Sequence, residues 1–177
     1  MIYYVWGIGD TIMFRERMQD ASDTAAFSAA VIHARGMNML ALINVDREAN
    51  GRGALVLGDN DAAQDHAEEM LALGYLSHWG VDGMKPYMRY TRAGGDNYVR
   101  ENVMGLPAPT PEGLEVDRVD PRDELEAAHE RLMASDSGRE NILGPWHTRV
   151  SLGVACSEYT CSIVQLFEGD YLTFESN

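Results

Sequence analysis

Arg100-Glu101-Asn102-Val103 carries the reading of this 177-residue chain, with Leu76-Ser77-His78-Trp79 before it and Ser135-Asp136-Ser137-Gly138-Arg139-Glu140-Asn141-Ile142-Leu143 after it. His78 and Glu101 in isolation say little. They gain meaning from their place in an ordered series. Helix-forming sequence precedes them, and apolar runs of strand character (Gly153-Val154, then Val164-Gln165-Leu166-Phe167) follow. Helices first and antiparallel strands last is an α+β arrangement.

Outward from that stretch the elements are readable in turn. Phe14 to Gln19 and Ala25 to Ile32 have helix-forming composition. Met37, Leu40, Ile43 and Arg47 predict a helix with a core-facing stripe that ends at Asn50-Gly51. Leu55-Val56-Leu57 is a short extended piece. Asp59-Asn60-Asp61 offers capping side chains to a helix that buries Ala63, Ala67, Met70 and Leu71 and can stop at Gly74. Lys85-Pro86 opens a short helix that ends at Gly94-Gly95. The segment 105–121 holds four prolines and reads as a loop. Asp120-Pro121 then starts a helix whose buried stripe is Leu125, Ala128, His129, Leu132 and Met133. Strands are expected at 149–156, 161–168 and 170–175. His129 reads as a satisfied core or boundary histidine. His66, one position off its helix's stripe, reads as partly exposed.

Composition narrows the class. An apolar fraction of 45% and a charged fraction of 24% are those of an ordinary soluble globular protein. The formal charge is −14, and Lys85 is the single lysine. Phosphate neutralisation by Lys and Arg dominates nucleic-acid affinity, so no nucleic-acid partner is expected. No uninterrupted apolar run reaches about 18 residues, so no membrane span is expected. Met1 to Gly9 is apolar but lacks a basic region before it and a small-x-small cleavage site after it, so no signal peptide is expected here.

Cys156 and Cys161 flank Ser-Glu-Tyr-Thr between two strand-like runs. A hairpin of that spacing brings the two sulfurs within reach of a disulfide after a small adjustment. Two reduced, buried thiols satisfy the same pattern. The bonded form belongs in an oxidising compartment.

The ordered series, from Leu76-Ser77-His78-Trp79 through Arg100-Glu101-Asn102-Val103 and Ser135–Leu143 to Gln165-Leu166-Phe167, resembles the CAP superfamily. These are the cysteine-rich secretory, antigen 5 and pathogenesis-related-1 proteins, or SCP-like extracellular domains. Lys85-Pro86-Tyr87-Met88-Arg89-Tyr90 followed by Ala93-Gly94-Gly95 is similar to a prokaryotic branch. The resemblance covers about 36–175. It implies a three-layer α-β-α sandwich with an antiparallel sheet, a domain over 34–177 and a helical extension over 1–33. It also implies an extracellular or cell-envelope location.

CAP domains converge two histidines and two acids on one cleft, and some members hold a divalent metal there. His78 matches the first histidine and Glu101 the first acid, which makes them the candidate metal ligands. Gly138 stands where the second histidine belongs, and the second acid falls near Ser135. Half of the set is missing, and a catalytic zinc needs three protein ligands plus water. His147, Asp136 or Glu140 is needed as a third, so no resident cofactor is expected. The expected cleft comprises His78, Glu101, Trp79, Arg100, Asn102, Ser135, Arg139 and Asn141, with Asn141 bonding nearby backbone. Tyr75, Trp79, Tyr87, Tyr90 and Tyr98 line either a ligand groove or the core beneath it. The reading is a non-enzymatic binding or interaction module for a small apolar, lipid or peptide ligand. The alternatives are a metal-assisted or serine hydrolase completed by His147 or Ser135, and a lipid or sterol carrier with a groove near 105–120.

Overall fold

The computed structural model describes the backbone of residues 2–105 and 120–169, and side chains within 11–105 and 120–169 except 121 and 122. The expected strand at 170–175 and nearly all of the proline-rich loop lie outside the described residues. The elements are α1 (Ile2–Ala49), β1 (Val56–Leu57), α2 (Ala62–Leu73), α3 (Pro86–Arg92), β2 (Tyr98–Gly105), α4 (Pro121–Ala134), α5 (Asp136–Ile142), β3 (His147–Cys156) and β4 (Cys161–Gly169).

The chain divides into two compact units, Met1–Ala34 and Arg35–Asn177. The first is helical. Its described apolar side chains include Ile12, Met13, Phe14, Met18 and Phe27, all exposed. Local bonds such as Thr24 Oγ1 to the Asp20 carbonyl and Ser28 Oγ to the Thr24 carbonyl tighten successive turns. Within Thr11–Ala49 one 18-residue window reaches a mean hydropathy of 1.3, long and apolar enough to cross a membrane by length and composition alone, a test that the core helix of a soluble protein or a signal sequence also passes.

The second unit is the sandwich. Its sheet has the order β1-β3-β4-β2. β3 and β2 flank β4 in antiparallel register, while the two residues of β1 pair parallel with Arg149 and Val150 of β3. The sheet is therefore mixed, antiparallel apart from that short pair. Being central, β4 is buried on both faces. On one face, Met39, Leu40 and Ile43 of α1 pack with Leu125, Ala128 and Leu132 of α4 and Ile142 of α5 against Val150, Val154, Ile163 and Phe167. On the other, Ala62, Ala63, Ala67 and Met70 of α2 and Tyr90 of α3 cover Ala155, Val164 and Leu166.

Small side chains set the second spacing. A Cβ on Gly153 would collide with the Ala63 carbonyl, so α2 lies directly on β3 there. At the start of α2, Asn60 Oδ1 accepts from the Ala62 amide, while the side chain of the N-cap residue Asp61 makes no cap bond. Arg47 shares the core-facing side of α1 as a buried cation. Its Nε donates to the Gly53 carbonyl (2.8 Å), and its Nη1 donates to those of Ile142 (2.6 Å) and Gly144 (3.0 Å). It thereby ties α1 to the C-terminal end of α5. His129 is buried, as expected, but only half satisfied: Nε2 is bonded to Asp46 at 2.6 Å, while Nδ1 is buried without a hydrogen-bond partner. Cys156 and Cys161 are register partners across the β3–β4 hairpin and are joined by a disulfide.

Candidate functional site

β2 is an edge strand, and its alternation splits the key segment between the two faces of the sheet. Glu101 falls with Val99 and Val103 on the α2–α3 face, and Asn102 falls with Arg100 and Met104 on the face of α4 and α5. A cleft of about 200 Å³ wraps this edge, with His78 and Glu101 on one side and Ser135, Gly138 and Asn141 on the other. Val103, Met104 and Leu132 supply its apolar lining.

His78 arrives on the segment between α2 and α3. Its Nδ1 pairs with Glu101 Oε1 at 3.0 Å, and Glu101 Oε2 accepts from Arg89 Nη2 at 2.7 Å. The Glu101 side chain is 2% exposed, Arg89 11% and His78 53%. Arg89 also donates from Nη1 to the carbonyls of His78 (3.0 Å) and Met84 (2.9 Å), so one guanidinium fastens the His78 segment, α3 and the edge strand together. A second tie comes from His66, which is 1% exposed rather than partly exposed as its position off the stripe implies. Its Nε2 meets the Ser77 carbonyl at 2.8 Å and its Nδ1 meets Glu69 at 3.1 Å. Glu69 also accepts from Tyr75 at 2.6 Å, a bond that pulls the carboxyl below its ordinary range. Burial, followed by that same bond, pushes the Tyr75 phenol up to about 12.

Across the edge, Ser135 caps α5. Its Oγ accepts from the Gly138 amide at 3.1 Å and donates to the Leu132 carbonyl at 3.0 Å. Asn102 Nδ2 donates to the Gly138 carbonyl and to Gln165 Oε1, each at 3.1 Å. Asn141 Nδ2 donates to the Glu101 carbonyl (3.2 Å) and to Asn102 Oδ1 (2.8 Å). The polar side chains of the cleft thus spend their bonds on building it.

Five of the eight residues expected in the cleft line it: His78, Glu101, Asn102, Ser135 and Asn141. Trp79, Arg100 and Arg139 do not. Trp79 is exposed, with the Lys85 ammonium 5.0 Å above its ring. Arg100 lies over Trp146 at 5.9 Å. Arg139 pairs with Asp136 at 2.7 Å on the outer surface of α5. Of the five aromatic residues, Tyr90 is core, and none lines this cleft. A larger cleft, about 420 Å³, opens between α2 and α3 among Asp65, Glu69, Asp82 and Arg92. Arg89 lines it too, and Glu101 does not.

The metal that the CAP resemblance implies does not fit these residues. Both Glu101 oxygens already face N–H donors. The supplementary ligands also fail. His147 is buried against Phe167, with ring centroids 5.2 Å apart, on the sheet face opposite Glu101. Neither of its ring nitrogens makes a well-formed hydrogen bond. Burial first, then Arg47 and Arg100, pushes its pKa down to about 4, against an upward pull from the Asn141 backbone. Asp136 points to solvent beside Arg139, and Glu140 is exposed. Among the described residues no group of three or more His, Cys, Asp or Glu is arranged to hold a metal ion. A side chain at position 138 has no room either, because a Cβ there would lie 2.5 Å from the Leu132 carbonyl and from Ser135 Oγ. Nucleophilic chemistry has no more support, since the Ser135 hydroxyl is committed to Leu132 and Gly138 rather than to His78.

Sequence reasoning missed Arg89. It sits inside the quoted Lys85–Tyr90 motif, and a long cation at that place was the available signal.

Comparison with known proteins gives a consistent picture. The family model of the cysteine-rich secretory protein (CAP) family matches residues 40–167. Among solved structures, an extracellular protein containing an SCP domain from Bacillus anthracis str. Ames aligns with a TM-score of 0.65 at 18% identity, covering 79% of this chain and 42% of its own. An outer surface protein from Borrelia burgdorferi aligns with a TM-score of 0.54 at 16% identity, over 74% of this chain and 89% of its own. At these identities the likeness is one of fold, and the chain spans less than half of the Bacillus protein. No curated protein matches the sequence.

Proposed function

The chain belongs to the CAP family of cysteine-rich secretory proteins, and on that premise we propose that it is a binding module without catalytic turnover. Its cleft at the β2 edge takes a small apolar or peptide-like group. One observation carries this reading: Glu101, Asn102, Ser135 and Asn141 are all bonded to the walls of the cleft, leaving no assembled nucleophile or metal set there. What faces a ligand is the half-exposed His78 imidazole and the apolar lining of Val103, Met104 and Leu132. A pocket whose polar groups are largely bonded within its own walls, beside three apolar side chains, suits recognition by shape. The extracellular and outer-surface neighbours, together with the disulfide, favour a location outside the cytoplasm.

The test pairs binding with turnover. Methyl resonances of Val103, Met104 and Leu132 are followed while a capped Val-Leu dipeptide is added, and p-nitrophenyl acetate hydrolysis is measured beside it. The reading predicts saturable shifts at those methyls and hydrolysis at the same background rate for wild type and His78→Ala. Hydrolysis that His78→Ala abolishes reinstates the enzyme.

A second reading, lipid or sterol capture, has one observation in its favour. A groove of about 410 Å³ lies between α1 and the start of α4, lined by Asn38, Ala41, Leu42, Leu125 and Glu126. Shifts at Leu42 and Leu125 on adding cholesterol sulfate, with none at Val103, support this reading over the first.

A further inference from the structure

We infer that Arg89 is the resident cation of the cleft: its guanidinium compensates Glu101 and positions the His78 segment, the two tasks a bound divalent ion would perform between those side chains. The inference holds whatever the cleft binds.

Glu101 is almost fully buried, and a buried carboxylate is tolerated only when it is paired and hydrogen-bonded. His78 supplies a donor to one oxygen through Nδ1. Arginine is always charged, and its rigid fork presents several donors in fixed directions. At this site both terminal nitrogens are used, with Nη2 on Glu101 and Nη1 shared between the carbonyls of His78 and Met84, while Nε is buried without a hydrogen-bond partner. Those two carbonyls bracket the turn in which the Gly80 amide closes on the Met84 carbonyl at 3.0 Å. One cation therefore fixes the turn, the histidine it carries and the carboxylate that orients the histidine. A second, divalent cation between His78 and Glu101 would meet this guanidinium at close range and find only two ligands. The close approach of the Leu132 carbonyl and Ser135 Oγ at Gly138 disfavours the histidine that would add a third.

A double-substitution cycle on the full chain tests the assignment, with thermal unfolding read with and without excess zinc chloride. Arg89→Met strands the buried charge and lowers the midpoint by several degrees. Glu101→Gln lowers it less, and Arg89→Met combined with Glu101→Gln unfolds above Arg89→Met alone, because the stranded charge is gone. Zinc leaves the wild-type midpoint unmoved. Should Arg89→Met fail to fold, the double variant is expected to fold. Arg89→Lys keeps the charge but not the fork; it is expected to fold, to exchange the amides of 78–84 faster than wild type, and to ignore zinc. The inference is overturned if the two substitutions are additive, if the double variant is as unstable as Arg89→Met, or if zinc raises the wild-type midpoint.

Discussion

Asn141 donates to the side-chain oxygen of Asn102 at 2.8 Å, and Asn102 in turn donates to the Gly138 carbonyl at 3.1 Å. These two amides close a loop of bonds between α5 and the edge strand, and the cleft exists because that loop holds. Asn141→Ala leaves Asn102 Oδ1 and the Glu101 carbonyl without this donor. Losing a partner from a buried polar group costs about 1–3 kcal/mol. Urea unfolding of the variant is expected to show a loss in that range with an unchanged dependence on denaturant.

Gly138→His places a histidine where the CAP pattern has one, yet it is expected to damage the site rather than restore it. The new Cβ meets the Leu132 carbonyl, which is backbone and cannot swing aside. Overpacking of this kind costs about 1–3 kcal/mol. The variant is predicted to be less stable than wild type and to gain no zinc affinity by calorimetry.

His147 makes stability depend on pH. Its folded pKa of about 4 lies below the ordinary 6.5, so the folded state favours the neutral ring. The unfolded chain binds the proton first. Stability from this group is complete above pH 6.5, declines as pH falls through the interval to 4, and is flat below it. The shift corresponds to about 3 kcal/mol. His147→Phe keeps a ring against Phe167 and is expected to flatten the slope of unfolding free energy between those two pH values. An unchanged slope contradicts the assignment.

Tyr90 anchors α3 from beneath. Its hydroxyl donates to Glu168 Oε2 at 2.8 Å, and Ser151 Oγ donates to Glu168 Oε1 at 3.2 Å. Glu168 is buried, so Tyr90→Phe removes one of its two side-chain donors at a cost of about 1–3 kcal/mol. Because Arg89 is the adjacent residue, faster amide exchange at 78–84 is expected to accompany the loss of stability.

The repeating parts of this fold were legible because one physical rule dominated each. Ala63, Ala67 and Met70 recur at helical spacing, Leu125 and Leu132 do the same, and the Cys156–Cys161 spacing marks a hairpin. Other parts obey no local period. β2 reads as polar because an edge strand beside a cleft carries Arg100, Glu101 and Asn102 in succession. α5 is seven residues long and reads as a motif, although Ser135 is an ordinary N-cap. His66 is buried because two partners, Glu69 and Ser77, satisfy its ring, which the stripe alone could not reveal. Within the site, His78, Glu101, Asn102, Ser135 and Asn141 were legible through resemblance. Arg89 was not, because it meets Glu101 only after α3 has packed beside the edge strand.

The most direct test of a cleft built without metal is calorimetric titration of the metal-stripped full chain with zinc and calcium, beside a His78→Ala control. The account predicts no saturable heat for either protein. Saturable binding at micromolar or tighter affinity that vanishes in His78→Ala contradicts it, because a third ligand must then complete the site.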